Sequence, residues 1–352
     1  MIVVIPTNRA IRLDYLEPLI EAGARFIVVD DSEGSIRVDH PSFAVYTWAD
    51  RRRVLGALEV AIPKGNGACR DFGFLLAWKE SDDDEVIVAL DDDCMVYHED
   101  FAEQVNNALS SERRAIATTE QRHLNIMDFY SNTPDHLFPR GFPYSARGHY
   151  HPCSFEEAEP GHVAFSLGLW KGVFDINAID KLEGPQWFHQ DAELHYKSVI
   201  IPKGTLVSVC SMNMQFRRKV LPAVYQLPMN IEVIPGWVID RYGDIWGGFI
   251  LKTLMDLRGE AMVAGEPMIH HLKEGNYLRN IWQEHLCHLV NDEFLEMLAD
   301  AAERIQPTGY LDMMEALHDE LLRAREKRSM ILRRYLDQLE KAMGAWIAAL
   351  KT

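Results

Sequence analysis

The chain has 352 residues, enough for one large domain or two ordinary ones. Lysine and arginine number 36 against 53 aspartates and glutamates, a formal net charge of −17. A protein that coats nucleic acid needs a broadly positive face, so nucleic acid is not an expected partner. Hydrophobic residues at 47% and charged residues at 25% exclude an intrinsically disordered chain. No apolar run approaches the ~20 residues of a membrane helix, so no integral membrane segment is expected. The start of the chain (Met1-Ile2-Val3-Val4-Ile5-Pro6) lacks the basic stretch and small-residue cleavage site of a signal peptide. Five scattered cysteines without a CxxC pair argue against a zinc site and a disulfide framework. These features together predict a reducing, cytoplasmic setting.

In chain order, Ile2–Ile5 predicts a buried strand ended by Pro6. A helical pattern follows through Ile11, Tyr15, Leu16, Leu19 and Ile20, with Gly23 near its end. Phe26–Val29 is the next strand, stopped by Asp30 and Asp31, and Phe43–Thr47 is a third. Gly65-Asn66-Gly67 breaks the chain, 68–78 reads as a helix, and Glu85–Leu90 is a strand running into Asp91, Asp92 and Asp93. Strand–helix alternation of this kind predicts an α/β fold, a mostly parallel Rossmann-like sheet flanked by helices. Ligands of such sheets bind beyond the carboxyl ends of the strands, where both acidic clusters stand. The middle, about 122–185, has poor periodicity and reads as loops and short strands. Beyond about His285, Leu332, Tyr335, Leu336, Leu339, Met343, Trp346, Ile347 and Leu350 keep helical spacing. The expected organisation is a nucleotide-binding unit over 1–285 and a C-terminal helical subdomain over 286–352 packed on it. Six cations within 323–334 face one glutamate there, either as a solvated helix face or as a contact for an acidic partner.

Asp91-Asp92-Asp93 is the sharpest chemical signal. Three adjacent carboxylates repel one another unless cations neutralise them, and hard oxygen ligands suit Mg²⁺ or Mn²⁺. An acidic surface turn is the plain alternative. Asp-x-Asp after an apolar strand is similar to the habit of GT-A glycosyltransferases, in which the first aspartate lies near the ribose and the last holds the metal. Asp30 or Asp31 is placed to accept hydrogen bonds from a nucleoside. A dinucleotide fold would carry a glycine-rich turn after the first strand, and Pro6-Thr7-Asn8-Arg9 has no glycine. Arg9, Lys64 and Arg70 are cations near the predicted strand ends and suit a diphosphate. His270-His271 is a candidate late metal ligand. Arg241 and Asp244 stand three residues apart beside aromatic residues.

Taken together, the stretches IVVIPTNR (Ile2–Arg9), FIVVDDS (Phe26–Ser32), ACRDFGF (68–74), LDDDC (Leu90–Cys94), RGFPYSAR (Arg140–Arg147), GLW (168–170), IPKGTLVSVCSMNMQF (201–216), RYGDIWG (241–247), IHHLK (269–273) and IWQE (281–284) carry a resemblance. The chain resembles the reversibly glycosylated polypeptides, the family that includes plant UDP-arabinopyranose mutases. The resemblance implies a GT-A-like fold, a UDP-sugar ligand and bound Mn²⁺ or Mg²⁺. It implies interconversion of pyranose and furanose forms of a UDP-sugar, with reversible glycosylation of an arginine. That arginine matches Arg147, with Arg140 as second candidate. Asp91 and Asp93 fall on the family's Asp-x-Asp with Asp92 between them. His271, rather than His270, matches the late histidine, and Asp244 matches an acidic residue of Arg-Tyr-x-Asp. Asp91, Asp93 and His271 are thus the expected metal residues; Arg9, Asp30, Asp31, Lys64, Arg70, Asp91, Asp92 and Arg241 the nucleotide-sugar residues.

A guanidinium is a poor nucleophile, so Arg147 needs a carboxylate to orient it, and Asp244 is the candidate. Three departures fall on the expected sugar side. Leu167 replaces the histidine of Ser-His-Gly-Leu-Trp, 149–161 is an extra segment, and 171–177 diverges. A glycosyltransferase acting on a separate acceptor and a non-catalytic nucleotide-sugar-binding subunit, in a homo- or hetero-oligomer, are the competing expectations.

Overall fold

The computed structural model describes residues 1–352 apart from 33, 66, 135–136, 184–187 and 273–274, and the side chain of Glu183. Asn66 of the glycine break, Pro185 at the end of the loop-rich middle, and Lys273 of IHHLK therefore lie outside the described residues.

Among the described residues, twelve strands form one sheet. They are β1 (Ile2–Thr7), β2 (Arg25–Asp30), β3 (Phe43–Tyr46), β4 (Val86–Leu90), β5 (Cys94–Met95), β6 (Arg114–Thr118), β7 (Ser154–Ala158), β8 (Val163–Val173), β9 (Phe188–His189), β10 (Ser198–Ile200), β11 (Asn213–Arg217) and β12 (Ala261–His271). Their order in space is β3-β2-β1-β4-β11-β8-β12-β10-β6-β7, with β9 beside β8 and β5 beside β12. The first four pair in parallel, the order of a nucleotide-binding half-sheet. β11 runs antiparallel between β4 and β8, while β8 and β12 pair in parallel. Following these pairings to the far edge, β3, β2, β1, β4, β8, β12 and β7 point one way and β11, β10 and β6 the other. The carboxyl ends of β1, β2, β4 and β12 consequently share one edge.

The helices are α1 (Glu17–Glu21), α2 (Trp48–Leu55), α3 (Arg70–Glu80), α4 (Phe101–Ala108), α5 (Tyr144–Arg147), α6 (Gly243–Arg258), α7 (Tyr277–Ala302), α8 (Tyr310–Ala324) and α9 (Met330–Lys351). The helix expected after β1 is cut to a single 3₁₀ turn and the five residues of α1, with Pro18 in its first turn, yet Leu16 and Leu19 are buried as their spacing requires.

The apolar face expected at the C-terminus is buried along all of α9. The Trp346 indole donates to the Pro222 carbonyl at 3.1 Å, and Trp78 donates to Leu350 at 3.0 Å. Trp246 of α6 stacks on Phe294 of α7, centroids 4.5 Å apart. The expected boundary at 285/286 falls inside α7, which runs unbroken from 277 to 302. The basic stretch finds its acids within the chain. Arg323 pairs with Glu320, Arg325 with Asp337 and Glu340, and Arg328 with Asp300.

One expectation is corrected. The middle, predicted as loops and short strands, contains the eleven-residue β8. Its two faces are both covered, so it shows no alternation of polar and apolar residues. Gly168 interrupts it because a Cβ there would strike the Asn213 side chain and the Pro267 carbonyl. No described helix is long and apolar enough to cross a membrane.

Candidate active site

The shared strand edge gathers the acidic residues. Thr7 at the end of β1 donates through its hydroxyl to Asp92 at 2.5 Å. Arg9, two residues on, pairs with Asp92 and reaches Asp93 at 2.9 Å. Arg70 opens α3, is buried, pairs with Asp91 and donates to the Leu90 carbonyl at 3.0 Å. The repulsion expected within Asp91–Asp93 is thus answered by two of the chain's own arginines. Three carboxylates against two guanidiniums still leave the strand end negative.

His271 supplies the next contact. β5 pairs His271 with Cys94, which brings its Nε2 to 3.8 Å from Asp93 Oδ1. The other ring nitrogen, Nδ1, lies 2.6 Å from the Val173 carbonyl and donates to it. That bond fixes the tautomer and leaves the Nε2 lone pair facing Asp93, the outer-shell arrangement of a metal-binding histidine. Burial, with repulsion from Asp91, raises the Asp93 pKa, and His271 and Arg9 oppose this. One carboxylate and one imidazole so disposed fit a hard divalent cation that takes its remaining ligands from phosphate. Asp91, the third expected ligand, turns its carboxylate to Arg70 instead.

A cleft of about 330 Å³ opens beside this edge, lined among others by Gly65, Arg70, Asp91, Arg140, Arg241 and Asp244. Arg140 is its buried anchor. Its Nε donates to Asp175 at 2.9 Å, and its terminal nitrogens donate to Asp244 at 3.1 and 2.7 Å. A further bond runs to the Arg241 carbonyl. Burial alone would lower the guanidinium pKa, but the charges of Asp175 and Asp244 raise it well above its usual value. Asp175, Cys210 and Asp244 also bring ligand-type atoms within 4.8 Å of one another. The Arg140 guanidinium already supplies the positive charge between those two carboxylates.

Arg140 sits there because Gly141 lets it. Gly141 has φ +88°, and a Cβ would collide with Ile245 in the first turn of α6. That close approach sets Arg140 against Asp244. Arg241 adopts a left-handed backbone (φ +64°) and donates from Nε to Glu284 at 2.9 Å. Glu284 is buried, and His288, Arg241 and Arg140 hold its carboxyl below the usual range despite that burial.

Arg147 is placed differently from the expectation. Its partner is Asp180, at 3.0 and 2.7 Å, while Asp244 belongs to Arg140. Four residues make α5, and the Arg147 guanidinium lies over the Tyr144 and Phe138 rings, 4.0 and 4.7 Å from their centroids. Among the described residues Arg147 is not part of the cleft lining. The extra segment braces this region from behind. Tyr150 bonds to Asp128 and packs its ring against Phe138 and Phe142.

The two acids ending β2 differ. Asp30 is buried and spends both oxygens on its own loop, accepting from Ser32 N at 2.7 Å and Ile36 N at 3.0 Å. Among the described residues, Asp31 accepts a single long hydrogen bond, 3.5 Å, from Gly65 N, and burial pushes its carboxyl up to about 6. The nucleoside-facing role expected of either acid therefore suits Asp31. Lys64 lies 4.9 Å over the Trp48 ring, beside buried Arg51 on the same ring.

Sequence reasoning missed Asp175, Asp180, Arg51 and Asn177, whose Oδ1 accepts from Gly141 N at 3.1 Å. Three of these four follow GLW, in or just beyond the stretch marked only as divergent. Glu284 was visible solely as a letter of IWQE. Leu167, the replaced histidine, is fully buried within β8 and does not line the cleft.

The family model "Reversibly glycosylated polypeptide" matches residues 1–352. UDP-arabinopyranose mutase 2 of Arabidopsis thaliana is 28% identical over 99% of this chain and 90% of its own length. UDP-arabinopyranose mutase 3 of the same plant is 31% identical over 80% of this chain and 73% of its own. A probable UDP-arabinopyranose mutase 2 of Solanum tuberosum is 29% identical over 99% of this chain and 88% of its own. Among solved structures, glucosyl-3-phosphoglycerate synthase of Mycobacterium tuberculosis, in complex with Mn²⁺, UDP and phosphoglyceric acid, is 14% identical. It covers 82% of this chain and 76% of its own with a TM-score of 0.38, too distant to bear on chemistry here. With a family model that matches from end to end, the chain belongs to the reversibly glycosylated polypeptide family.

Proposed function

We propose that the protein is a UDP-sugar mutase that interconverts pyranose and furanose forms through a reversible glycosyl-arginine at Arg147. Family membership and relatives named UDP-arabinopyranose mutase support the reading. The observation that carries it is the cleft in which Arg70–Asp91 and Arg140–Asp244 stand beside the Asp93–His271 pair. Asp31 would hold the nucleoside, and Arg9, Arg70 and Lys64 would face the diphosphate. Asp93 and His271 would hold Mn²⁺ or Mg²⁺, which when bound neutralises charge on the diphosphate. Arg9 and Arg70 add fixed positive charge where negative charge grows as UDP departs. Buried Arg140 keeps Asp244 and Arg241 in place at the cleft wall. The scheme requires the sugar to reach past Arg241 to Arg147. Five free cysteines support a reducing compartment, and homo- or hetero-oligomers belong to the same proposal.

Intact-mass spectrometry with Mn²⁺ and a panel of UDP-sugars, with product analysis alongside, tests this. A sugar-sized gain on Arg147, reversed by excess UDP, together with a ring-isomerised product, is expected. Absence of both the mass gain and the isomerised product overturns it. A second reading, transfer to a separate acceptor, is favoured by the position of Arg147 outside the cleft lining. Glycosylated acceptor without an Arg147 adduct would establish that reading instead.

A further inference from the structure

We infer that Glu284, near the start of α7, is the positioning residue that turns Arg241 into the cleft as the grip for a diphosphate. The inference rests on the UDP-sugar ligand proposed above and not on which arginine carries a sugar. Among the described residues, three arginines line the cleft, Arg70, Arg140 and Arg241. Arg70 spends its terminal nitrogens on Asp91 and the Leu90 carbonyl. Arg140 spends all three nitrogens on Asp175, Asp244 and the Arg241 carbonyl. Arg241 donates through Nε, and among the described residues its terminal nitrogens make no hydrogen bond within the chain. Those two nitrogens remain for an anion, and their planar spacing matches two oxygens of a phosphate.

Glu284 is what leaves them free. It is only 1% exposed, and its Oε1 accepts from Arg241 Nε at 2.9 Å. A contact made through Nε keeps the carboxylate off the terminal fork. The other oxygen, Oε2, accepts from Ala178 N at 2.8 Å, which pins the carboxylate from its far side. Burial favours the neutral acid, but His288, Arg241 and Arg140 hold the carboxyl below its usual range.

The backbone of Arg241 needs the same support. It is a non-glycine residue at φ +64°, a conformation that costs free energy and persists only where the surroundings over-determine it. α7 supplies that restraint. Gln283 Nε2 donates to Asp240 Oδ2 at 2.6 Å, and Cys287 Sγ donates to the Asp240 carbonyl at 3.2 Å. Three side chains of one helix therefore hold two consecutive residues of the cleft wall. α7 serves the site as well as the helical layer.

Calorimetric titration of the full chain with UDP and with uridine, each with Mn²⁺, tests this, with thermal midpoint as the control of folding. Glu284→Gln is expected to weaken UDP about tenfold and uridine less than about twofold, the loss falling on the phosphates alone. Removing a negative charge beside an anion site would by its field alone tighten UDP binding, so the sign of the change separates orientation from charge. Added to Arg241→Ala, Glu284→Gln is expected to cost less than about twofold more, because nothing is left to orient. Arg241→Lys leaves the buried carboxylate untouched. Its single ammonium is drawn to Glu284 and is expected to bind UDP no better than Arg241→Ala, within about twofold. UDP binding by Glu284→Gln as tight as wild type or tighter, equal losses for UDP and uridine, full additivity with Arg241→Ala, or wild-type UDP affinity in Arg241→Lys each overturns the inference while leaving the UDP-sugar reading standing. A wild type that binds no UDP overturns both.

Discussion

Arg140 donates to both oxygens of Asp244, at 3.1 and 2.7 Å, across 104 residues of chain. Asp175 takes its Nε from the other side at 2.9 Å. Removing the cation from such a site leaves two buried carboxylates uncompensated. Arg140→Ala is expected to cost about 3–5 kcal/mol in urea unfolding. Adding Asp175→Asn and Asp244→Asn to that variant is expected to recover part of the loss. A triple variant less stable than Arg140→Ala alone would refute the clamp.

Asp93 and His271 are the pair expected to hold the divalent cation. His271→Ala should weaken Mn²⁺-dependent UDP binding about tenfold or more, since loss of even an outer-shell partner has that size. UDP binding without metal should change little. Calorimetric titration with and without Mn²⁺ separates the two, and equal losses in both would remove His271 from the metal site.

Asp31 carries a pH signature. Its folded pKa is pushed up to about 6, above the ordinary unfolded value near ~3.9. Between those values the folded state holds the proton more firmly than the unfolded one, so this group's contribution to stability falls as pH rises and levels off above about 6. Asp31→Asn should therefore gain thermal midpoint relative to wild type at pH 7.5 more than at pH 4. Parallel midpoint curves would contradict the assignment.

Gly141 has a left-handed backbone and no room for a Cβ beside Ile245. Gly141→Ala is expected to destabilise by about 1–3 kcal/mol from strain and displacement. It should also raise KM for the UDP-sugar, because Arg140 moves with it. An unchanged KM in a stably folded variant would dissociate the turn from the cleft.

Much of the site was legible because its signals are local. An apolar strand that runs into Asp91–Asp93 puts those acids at a sheet edge whatever the rest does. The α9 face was legible for the same reason, since helical spacing alone defines it. β8 was not, because a strand covered on both faces has no alternation to read, and glycines break its apolar run. Nor could the exposure of Asp30 and Asp31 be told apart. Adjacent residues at a strand end point to opposite sides, and only the turn through Ser32 and Ile36 decides which one is consumed.

By itself the sequence determined which chemical groups are present and which strand ends carry them. Parallel pairing of β2, β1 and β4 then places Thr7, Asp31 and Asp91 along one edge, and the antiparallel pairing of β5 with β12 brings His271 to it. Only the tertiary structure decided who neutralises whom. Arg9 serves Asp92 and Asp93, Arg70 serves Asp91, Arg140 serves Asp175 and Asp244, and Arg147 serves Asp180. The reason is physical. An ion pair needs its atoms within a few ångströms in fixed orientation, and buried carboxylates compete for the same few guanidiniums. Which acid wins depends on how loops far apart in the chain are set against one another, here by Gly141 on Ile245 and by the turn that carries Asp180.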